Sequence, residues 1–512
     1  MANGYARARG RPGVVCTIPG PGFTYALTGL AEALLDSAPV VHVVSAPASR
    51  PDGGYALQAG AQSEIAAPLV KQVVTVESND ELEQSLVDAF ATATGGEPGP
   101  VVVQVPERLM RAPAPSRGGM TPARAPAAAA ADVDTIADRL AAARRPLLLC
   151  GQGAADAASL VEQLAEALRV PVVTTTSGRG VLSERHPLSL PFDSLSVPPS
   201  LANELTAAAD LVIAVGVKFS PNATFGSSLR LPAERLVRVD TSREALANGY
   251  PAAVAVEADA GDFLEALWSR LGGRGASEWT EDSVEESRRR LATSQPRPAE
   301  PRLAGMEPSA VFGALRRSLP DTGVVTTDSG FHQYLVRRHL DVLAPRTLLV
   351  PTDFQSMGFG LPAAIGVAVA TGRTTVAVIG DGGFAISGLE LATAVHNQVP
   401  LVLLVLVDRY FGLIRRHQLK RTGHESGVEL PAIDVALVAA AVGATHRRLD
   451  SGNLDTIFAD ALASGGVTVI EVPVEDAGLG RERAVGLAVA ATRSVVGVGA
   501  ADKMVGIVRR RR

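Results

Sequence analysis

Two aspartates are spaced for chemistry. Asp381 sits inside Gly380-Asp381-Gly382-Gly383, and Asp408 follows the apolar run Val399 to Val407. If both leave the same edge of one sheet, their carboxylates face one point, and a cation between them relieves the repulsion. Hard oxygen ligands in small number favour Mg2+ completed by water or phosphate oxygens. Gly380, Gly382 and Gly383 suit the other half of such a site, because glycine lets backbone N–H groups approach a diphosphate closely at a helix start. Taken singly, each aspartate is an ordinary turn or strand-end residue. Their 27-residue separation, with a strand on either side, is what makes them a ligand pair.

The elements that must position this pair are a strand over Thr374 to Ile379, the glycine turn 380–383, a helix over Gly388 to His396 and a strand over Val399 to Val407. Such a β-α-β unit brings both strands to one sheet edge, where ligands of doubly wound folds bind. Short Val/Leu/Ile runs alternating with Ala-rich amphipathic helices recur in three segments, which predicts an α/β chain of three doubly wound parallel-sheet domains. The boundaries read as 1–110, 132–271 and 309–480, with an Ala/Pro-rich linker at 111–131, an Arg/Glu/Pro-rich linker at 272–308 and a tail at 481–512. The central segment is Rossmann-like, with strands at Pro146 to Cys150, Leu211 to Val215 and Leu236 to Val239, and a Gly151-Gln152-Gly153 turn. A tight strand-to-helix turn needs glycine with or without a dinucleotide, so no NAD site is assigned to it.

Composition excludes several classes. Among 512 residues, 48 Lys plus Arg against 53 Asp plus Glu give a net charge of -5, leaving no global positive field for nucleic acid or an anionic membrane. Arg509 to Arg512 read as a solvated end. Cys16 and Cys150 lie far apart without ligand-type spacing, which suits a reducing, cytoplasmic setting. The longest apolar runs are too short to span a bilayer, and the basic stretch Arg7 to Arg11 is not followed by a signal-peptide core.

Gly380-Asp381-Gly382 followed at this distance by a strand-end ligand is similar to the Gly-Asp-Gly … Asn motif of thiamine-diphosphate (ThDP) enzymes. Asp328-Ser329-Gly330-Phe331-His332-Gln333 and Met357-Gly358-Phe359-Gly360-Leu361-Pro362-Ala363-Ala364-Ile365-Gly366 resemble acetolactate synthase segments. Met1 to Arg7 and Gly20 to Gly29 resemble the pyrimidine-binding domain of the same enzymes. The resemblance covers nearly the whole chain and implies a pyrimidine-binding, a central Rossmann-like and a diphosphate-binding domain. It implies Mg2+ on Asp381, Asp408 and the Tyr410 carbonyl, and diphosphate on Gly330, His332 and the 380–383 glycines. It places the Gln355 carbonyl against the aminopyrimidine, Met357 as the apolar pivot that bends ThDP, and Pro21 and Gly22 among the cofactor contacts. Gln58 and Lys71 fall at positions similar to the family's sites near the reaction centre, and His417 joins them as a candidate. The implied reaction is decarboxylation of a 2-oxo acid such as pyruvate and addition of the fragment to a second carbonyl, in a homodimer or homotetramer. Non-ligating decarboxylation and a catalytically inactive homologue are the alternatives.

The sequence also departs from that pattern. Asp408 stands where Asn is usual, which keeps an oxygen ligand and adds charge. The family glutamate that hydrogen-bonds the aminopyrimidine, and so drives proton transfer on the cofactor, lies a few residues before the Met-Ala-x-Gly-Tyr-Ala-Arg segment, whereas this chain begins at that Met. The expectation is a true start upstream, carrying the first strand and helix of the domain and a neighbour for the Val14 to Thr17 strand. Leu57 and His417 replace an aromatic residue and a Trp, which points to a different acceptor pocket. Leu188 to Pro199 lacks a glycine-rich run, which speaks against FAD. Arg415, Arg416 and His417 either face a substrate carboxylate or form a solvated helix surface.

Overall fold

The computed structural model describes residues 1–46, 57–58, 60–110, 128–273, 275, 277–293, 300–475 and 479–496. Three sheets form from the Val/Leu/Ile runs. The first contains β1 (Gly13–Thr17), β2 (Val40–Ala46), β3 (Gln72–Thr75) and β4 (Pro100–Pro106), in the order β1-β2-β4-β3. The second contains β5 (Pro146–Cys150), β6 (Val172–Thr174), β7 (Ser189–Leu190), β8 (Leu211–Val215), β9 (Leu236–Asp240) and β10 (Val254–Glu257), in the order β10-β9-β8-β5-β6-β7. The third contains β11 (Arg302–Leu303), β12 (Val324–Thr327), β13 (Leu348–Leu349), β14 (Thr375–Gly380), β15 (Leu401–Val407), β16 (Thr445–Arg448) and β17 (Val467–Glu475), in the order β11-β17-β15-β14-β12-β13, with β16 also on β17. All pairings are parallel except β11 with β17. Apolar clusters cover both faces of the second and third sheets, which is why β15 reads as an unbroken Leu/Val run buried almost throughout.

Three expectations change. The stretch 272–308 is not a bare linker. Trp279 is buried and donates from Nε1 to Pro146 O at 2.8 Å; Val284 and Leu291 of the helix Glu281–Thr293 pack beside it, and β11 extends the third sheet. Two turns of helix separate Val284 from Leu291, so a charged composition conceals one apolar stripe. The stretch 481–512 is not all tail either: the helix Leu479–Val496 lies on the helix Gly412–Thr422, with Gly486 against Gly423 and Leu419 O. The 380–383 turn is the first turn of a helix, Asp381–Ser387, and a short 3-10 turn precedes the helix Leu391–His396. Of the linker at 111–131, residues 111–127 lie outside the described residues, as do 497–512 with the terminal arginines.

Polar contacts fix the domains to one another. Arg337, in the helix Phe331–His339, meets Asp193 of the central domain at 2.9 Å with both side chains buried. Arg179 caps the C-terminus of that helix, donating to Arg337 O at 2.9 Å and Leu340 O at 2.8 Å. Burial opposes the charge on Asp193, but Arg337 and Arg179 outweigh it and hold its pKa below the usual aspartate value. Because the folded pKa is depressed, the pair stabilises the fold fully above the unfolded aspartate pKa and loses its contribution as pH falls through the folded value. Arg337→Ala leaves a buried carboxylate without its partner, so urea unfolding followed by tryptophan fluorescence should show a loss of about 3–5 kcal/mol at pH 7.

Candidate active site

In the third sheet the chain runs from β12 outward to β13, then returns across β12 to β14 and on to β15, so the strand order reverses between β12 and β14. Crevices at such reversals, outside the carboxyl ends of the strands, are where ligands of open α/β sheets bind. A cavity of about 270 Å³ occupies this position, lined by Ser329 to His332 after β12, Gly380 to Gly383 after β14, Asp408 and Tyr410 after β15, and Gln355 and Met357 from the segment between. Every residue expected on the diphosphate side is therefore brought together, from loops more than 70 positions apart in the chain.

The two carboxylates are neighbours. Asp381 accepts from Gly382 N at 2.9 Å and from Arg409 N at 2.6 Å, while Asp408 accepts from Tyr410 N at 2.9 Å. Arg409 adopts φ 63°, a left-handed turn that returns its amide to Asp381. Burial pushes Asp408 up to about 6, helped by the charge of Asp381 and opposed by the Tyr410 amide and by Arg415 and Arg416. Burial also raises Asp381. Two desolvated, mutually repelling carboxylates form the oxygen donor set that a small divalent cation satisfies, so these residues fit Mg2+.

The walls leave little freedom. A Cβ on Gly383 would overlap Asp328 Oδ2. Gly330 sits at φ 154°, and a Cβ there would come within 2.5 Å of the His332 ring. Asp328 is buried; it accepts from Gly360 N, and from Gly358 N at 3.0 Å, thereby fixing the chain just after Met357. Burial raises Asp328 to about 6 against those backbone bonds. Gln355, at φ 65°, donates to Thr352 O at 2.6 Å and accepts from Ser329 Oγ at 3.0 Å. The Met357 methyl faces Gly382, whose added Cβ would lie 3.0 Å from it. His332 lines the cavity, but its Nε2 lies 3.0 Å from Asp328 O, a carbonyl that can only accept, so Nε2 carries the proton. Burial holds the ring near pKa 4, so the neutral ring turns an acceptor, Nδ1, toward Gly380; holding a phosphate oxygen there requires a second proton.

Other expected residues lie elsewhere. Pro21 and Gly22 begin the helix Pro21–Leu35, beside Gln58 at φ 58°, and none of the three lines this cavity. Lys71 donates to Thr92 O, Gly95 O and Glu97 O at 2.6–2.7 Å; it closes the C-terminal end of the helix Asn79–Thr94 and does not face the aspartates. His417 points to solvent. Arg415 pairs with Glu425 at 2.7 Å and stacks on Tyr410, and Arg416 pairs with Glu482 at 3.2 Å over the Phe331 ring. Both arginines thus have internal partners, so the solvated-surface reading fits His417 and not them, and Arg416 reaches the cavity wall. Glu32 and Asp36 escaped the sequence reading: both are buried in the N-terminal domain and both reach the segment that carries Gln355. The available signal was a glutamate inside the otherwise apolar run Leu30 to Leu34.

A second cavity, of about 410 Å³, lies where the strand order of the central sheet reverses between β5 and β8, bounded by Gly153, Gly216, Asp240 and Lys218 together with Asp36 and Thr352. A Cβ on Gly151 would overlap Gly216 O, so close approach of the two strand ends accounts for the glycine turn. Glu162, Glu166 and His186 also cluster within metal-binding reach. There His186 Nδ1 accepts from Leu188 N at 3.1 Å, which leaves the proton on Nε2, toward Glu166, and no lone pair for an ion. No helix among the described residues is long and apolar enough to cross a membrane.

Residues 1–67, 133–267 and 328–472 match, respectively, the N-terminal TPP-binding, central and C-terminal TPP-binding domains of thiamine pyrophosphate enzymes. The chain is 33% identical over 481 residues to the probable 2-ketoarginine decarboxylase AruI of Pseudomonas aeruginosa, covering 92% of this chain and 84% of that protein. It is 31% identical over 432 residues to the acetolactate synthase isozyme 1 large subunit of Escherichia coli, with 84% and 75% covered. It is 29% identical over 508 residues to the mitochondrial acetolactate synthase catalytic subunit of Saccharomyces cerevisiae, with 93% and 73% covered.

A metal must displace any proton that Asp408 holds, and burial raises Asp381 in the same direction. Calorimetric titration of Mg2+ in the presence of ThDP should therefore show affinity falling as pH drops below about 6, approaching tenfold per pH unit. Asp408→Asn should flatten that dependence while retaining binding, and Asp381→Ala should abolish it.

Proposed function

Because the chain belongs to the acetolactate synthase-like family of ThDP-dependent enzymes, we propose that it uses ThDP and Mg2+ to decarboxylate a 2-oxo acid in the cytoplasm and to join the remaining fragment to a second carbonyl compound. The observation that carries this reading is the desolvated pair of buried Asp381 and half-buried Asp408 at the strand-order reversal, facing Met357 across one cavity. When bound, ThDP supplies a carbon nucleophile for the 2-oxo carbonyl and a sink for the electrons left by CO2. The chain's own residues position and shield. Asp381, Asp408 and the Tyr410 carbonyl hold the metal; Gly330, Gly382 and Gly383 admit the diphosphate; Met357 and the Gln355 carbonyl set the cofactor's bend and register. Phe331, Phe411 and Leu413 keep that wall apolar, which strengthens the electrostatic interactions inside it.

A second reading, decarboxylation without ligation, is favoured by the 33% identity to a protein named as a probable 2-ketoarginine decarboxylase. Incubation with ThDP, Mg2+ and pyruvate or 2-ketoarginine separates the two: an acetolactate-type product supports ligation, and an aldehyde with equimolar CO2 supports plain decarboxylation. ThDP binding without turnover of any 2-oxo acid would leave the inactive-homologue reading.

A homodimer or homotetramer is part of the proposal. Pro21, Gly22 and Gln58 lie away from the cavity of their own chain, as they would if they served a second subunit. Exposed apolar side chains support association: Tyr25 (86% exposed) and Leu57 (88%) in the N-terminal domain, Ile386 (62%) and Leu389 (76%) in the C-terminal domain. Leu389→Glu should shift sedimentation toward monomer and lower ThDP affinity in parallel; a variant that stays associated would overturn this placement of the interface.

A further inference from the structure

Glu32 lies in the helix Pro21–Leu35 and is 1% exposed. A leucine at this position would be buried without electrostatic cost, whereas a carboxylate must find partners or lose free energy. Its partners are in the C-terminal domain: Oε2 accepts from Ser356 N at 2.9 Å and Ser356 Oγ at 2.5 Å, while the buried Oε1 has no hydrogen-bond partner among the described residues. One helical turn on, Asp36 accepts from Thr352 Oγ1 at 3.0 Å and Thr352 N at 3.3 Å, and is itself fixed by Arg7 at 2.9 Å. Two carboxylates on one helix face thus grip both ends of the segment 352–356. Between those ends lies Gln355 at φ 65°, a conformation that persists only where its surroundings impose it. Directly after Ser356 comes Met357, whose other flank Asp328 holds through Gly358 N and Gly360 N.

We propose that Glu32 is a positioning residue for the cofactor site: by holding Ser356 it sets the Gln355 carbonyl and the Met357 pivot in the shape that ThDP requires. The proposal rests on the cofactor reading given above. It adds a contribution from the N-terminal domain of the same chain as the pivot, reached through a residue that touches no cofactor. The charged groups facing Glu32 are Asp36 and Arg7. Burial and Asp36 push Glu32 up to about 7, against its two bonds from Ser356 and the attraction of Arg7. Burial raises Asp36 as well, against Arg7 and the bonds from Thr352, so the two carboxyls share the tendency to take up a proton, and a proton on Glu32 weakens its hold on Ser356.

The test compares Glu32→Ala and Glu32→Gln with Leu30→Ala, a core change in the same helix that destabilises without touching the segment. Amide hydrogen exchange of residues 352–360, measured without cofactor, and calorimetric ThDP affinity at pH 6, 7 and 8 are the readouts. Glu32→Ala should speed exchange at Ser356 and Gly358 and weaken ThDP binding, each about tenfold or more. Glu32→Gln, whose amide oxygen still accepts from Ser356, should stay near the parent affinity and lose the part of the parent's pH dependence centred near 7. Leu30→Ala should lower thermal stability and leave both readouts unchanged. If Glu32→Ala matches Leu30→Ala in exchange and affinity, Glu32 is an ordinary structural residue and the proposal fails. If the parent itself binds no ThDP, the cofactor reading fails, while faster exchange in Glu32→Ala would still support the clamp on Ser356.

Discussion

Parallel pairing of β14 with β15 delivers two aspartates to the same sheet edge, and backbone amides relieve only part of their repulsion. Much of the third domain follows from that constraint. Arg409 takes a left-handed turn to return an amide to Asp381, and the chain after β15 stays close enough for the Tyr410 amide to cap Asp408. The glycines around Asp381 remain small because Asp328 and Met357 press against them. A cation would complete the arrangement, because it attracts both carboxylates at once.

The segment 352–358 supplies the opposite wall of the cavity and has almost no regular structure to hold it. Carboxylates do so instead: Asp36 at Thr352, Glu32 at Ser356 and Asp328 at Gly358 and Gly360. Asn222 of the central domain adds a donor to Thr352 O. All three domains therefore converge on a few residues, and the larger cavity, bounded by Asp36, Asn222 and Thr352, touches the same segment from its far side. The helix Pro21–Leu35 spans about 22 Å at its normal rise. Its C-terminal end grips this chain's own segment. On the proposed assembly, its N-terminal end with Pro21 and Gly22 meets a second subunit, so one rigid rod joins two sites.

Legibility in the sequence followed the range of the interactions. Asp381 and Asp408 could be paired because both are anchored to long apolar strands, and the period of those strands fixes where they end. The three-sheet organisation followed from the same runs. The helix Glu281–Thr293 was hidden because Arg, Glu and Ser dominate it and Val284 and Leu291, which pack beside the preceding Trp279, are its clear apolar anchors. Lys71 illustrates the opposite error: a residue type suited to catalysis spends its amine on three carbonyls at a helix end, a partner that only the fold supplies. For Glu32 the apolar run around it marks a buried acid, but not its partner, because Ser356 is 324 positions away. For His332 the position was legible but not the proton, since the Asp328 carbonyl settles which nitrogen carries it.

Asp408 carries a full charge where the related motif carries a neutral amide, and the surroundings answer that charge. Arg415 and Arg416 both lower its pKa from the helix Gly412–Thr422, one turn beyond the strand end. Neither guanidinium is left to act on Asp408 alone, for Glu425 balances Arg415 and Glu482 balances Arg416. Glu482 belongs to the helix Leu479–Val496, so the charge on Asp408 is compensated through a chain of alternating partners that ends on the last described helix. Buried or half-buried pairs of this kind keep their strength because little water screens them. The extra acid at position 408 and the docking of the C-terminal helix are therefore parts of one electrostatic arrangement, and a change at either end is felt at the other.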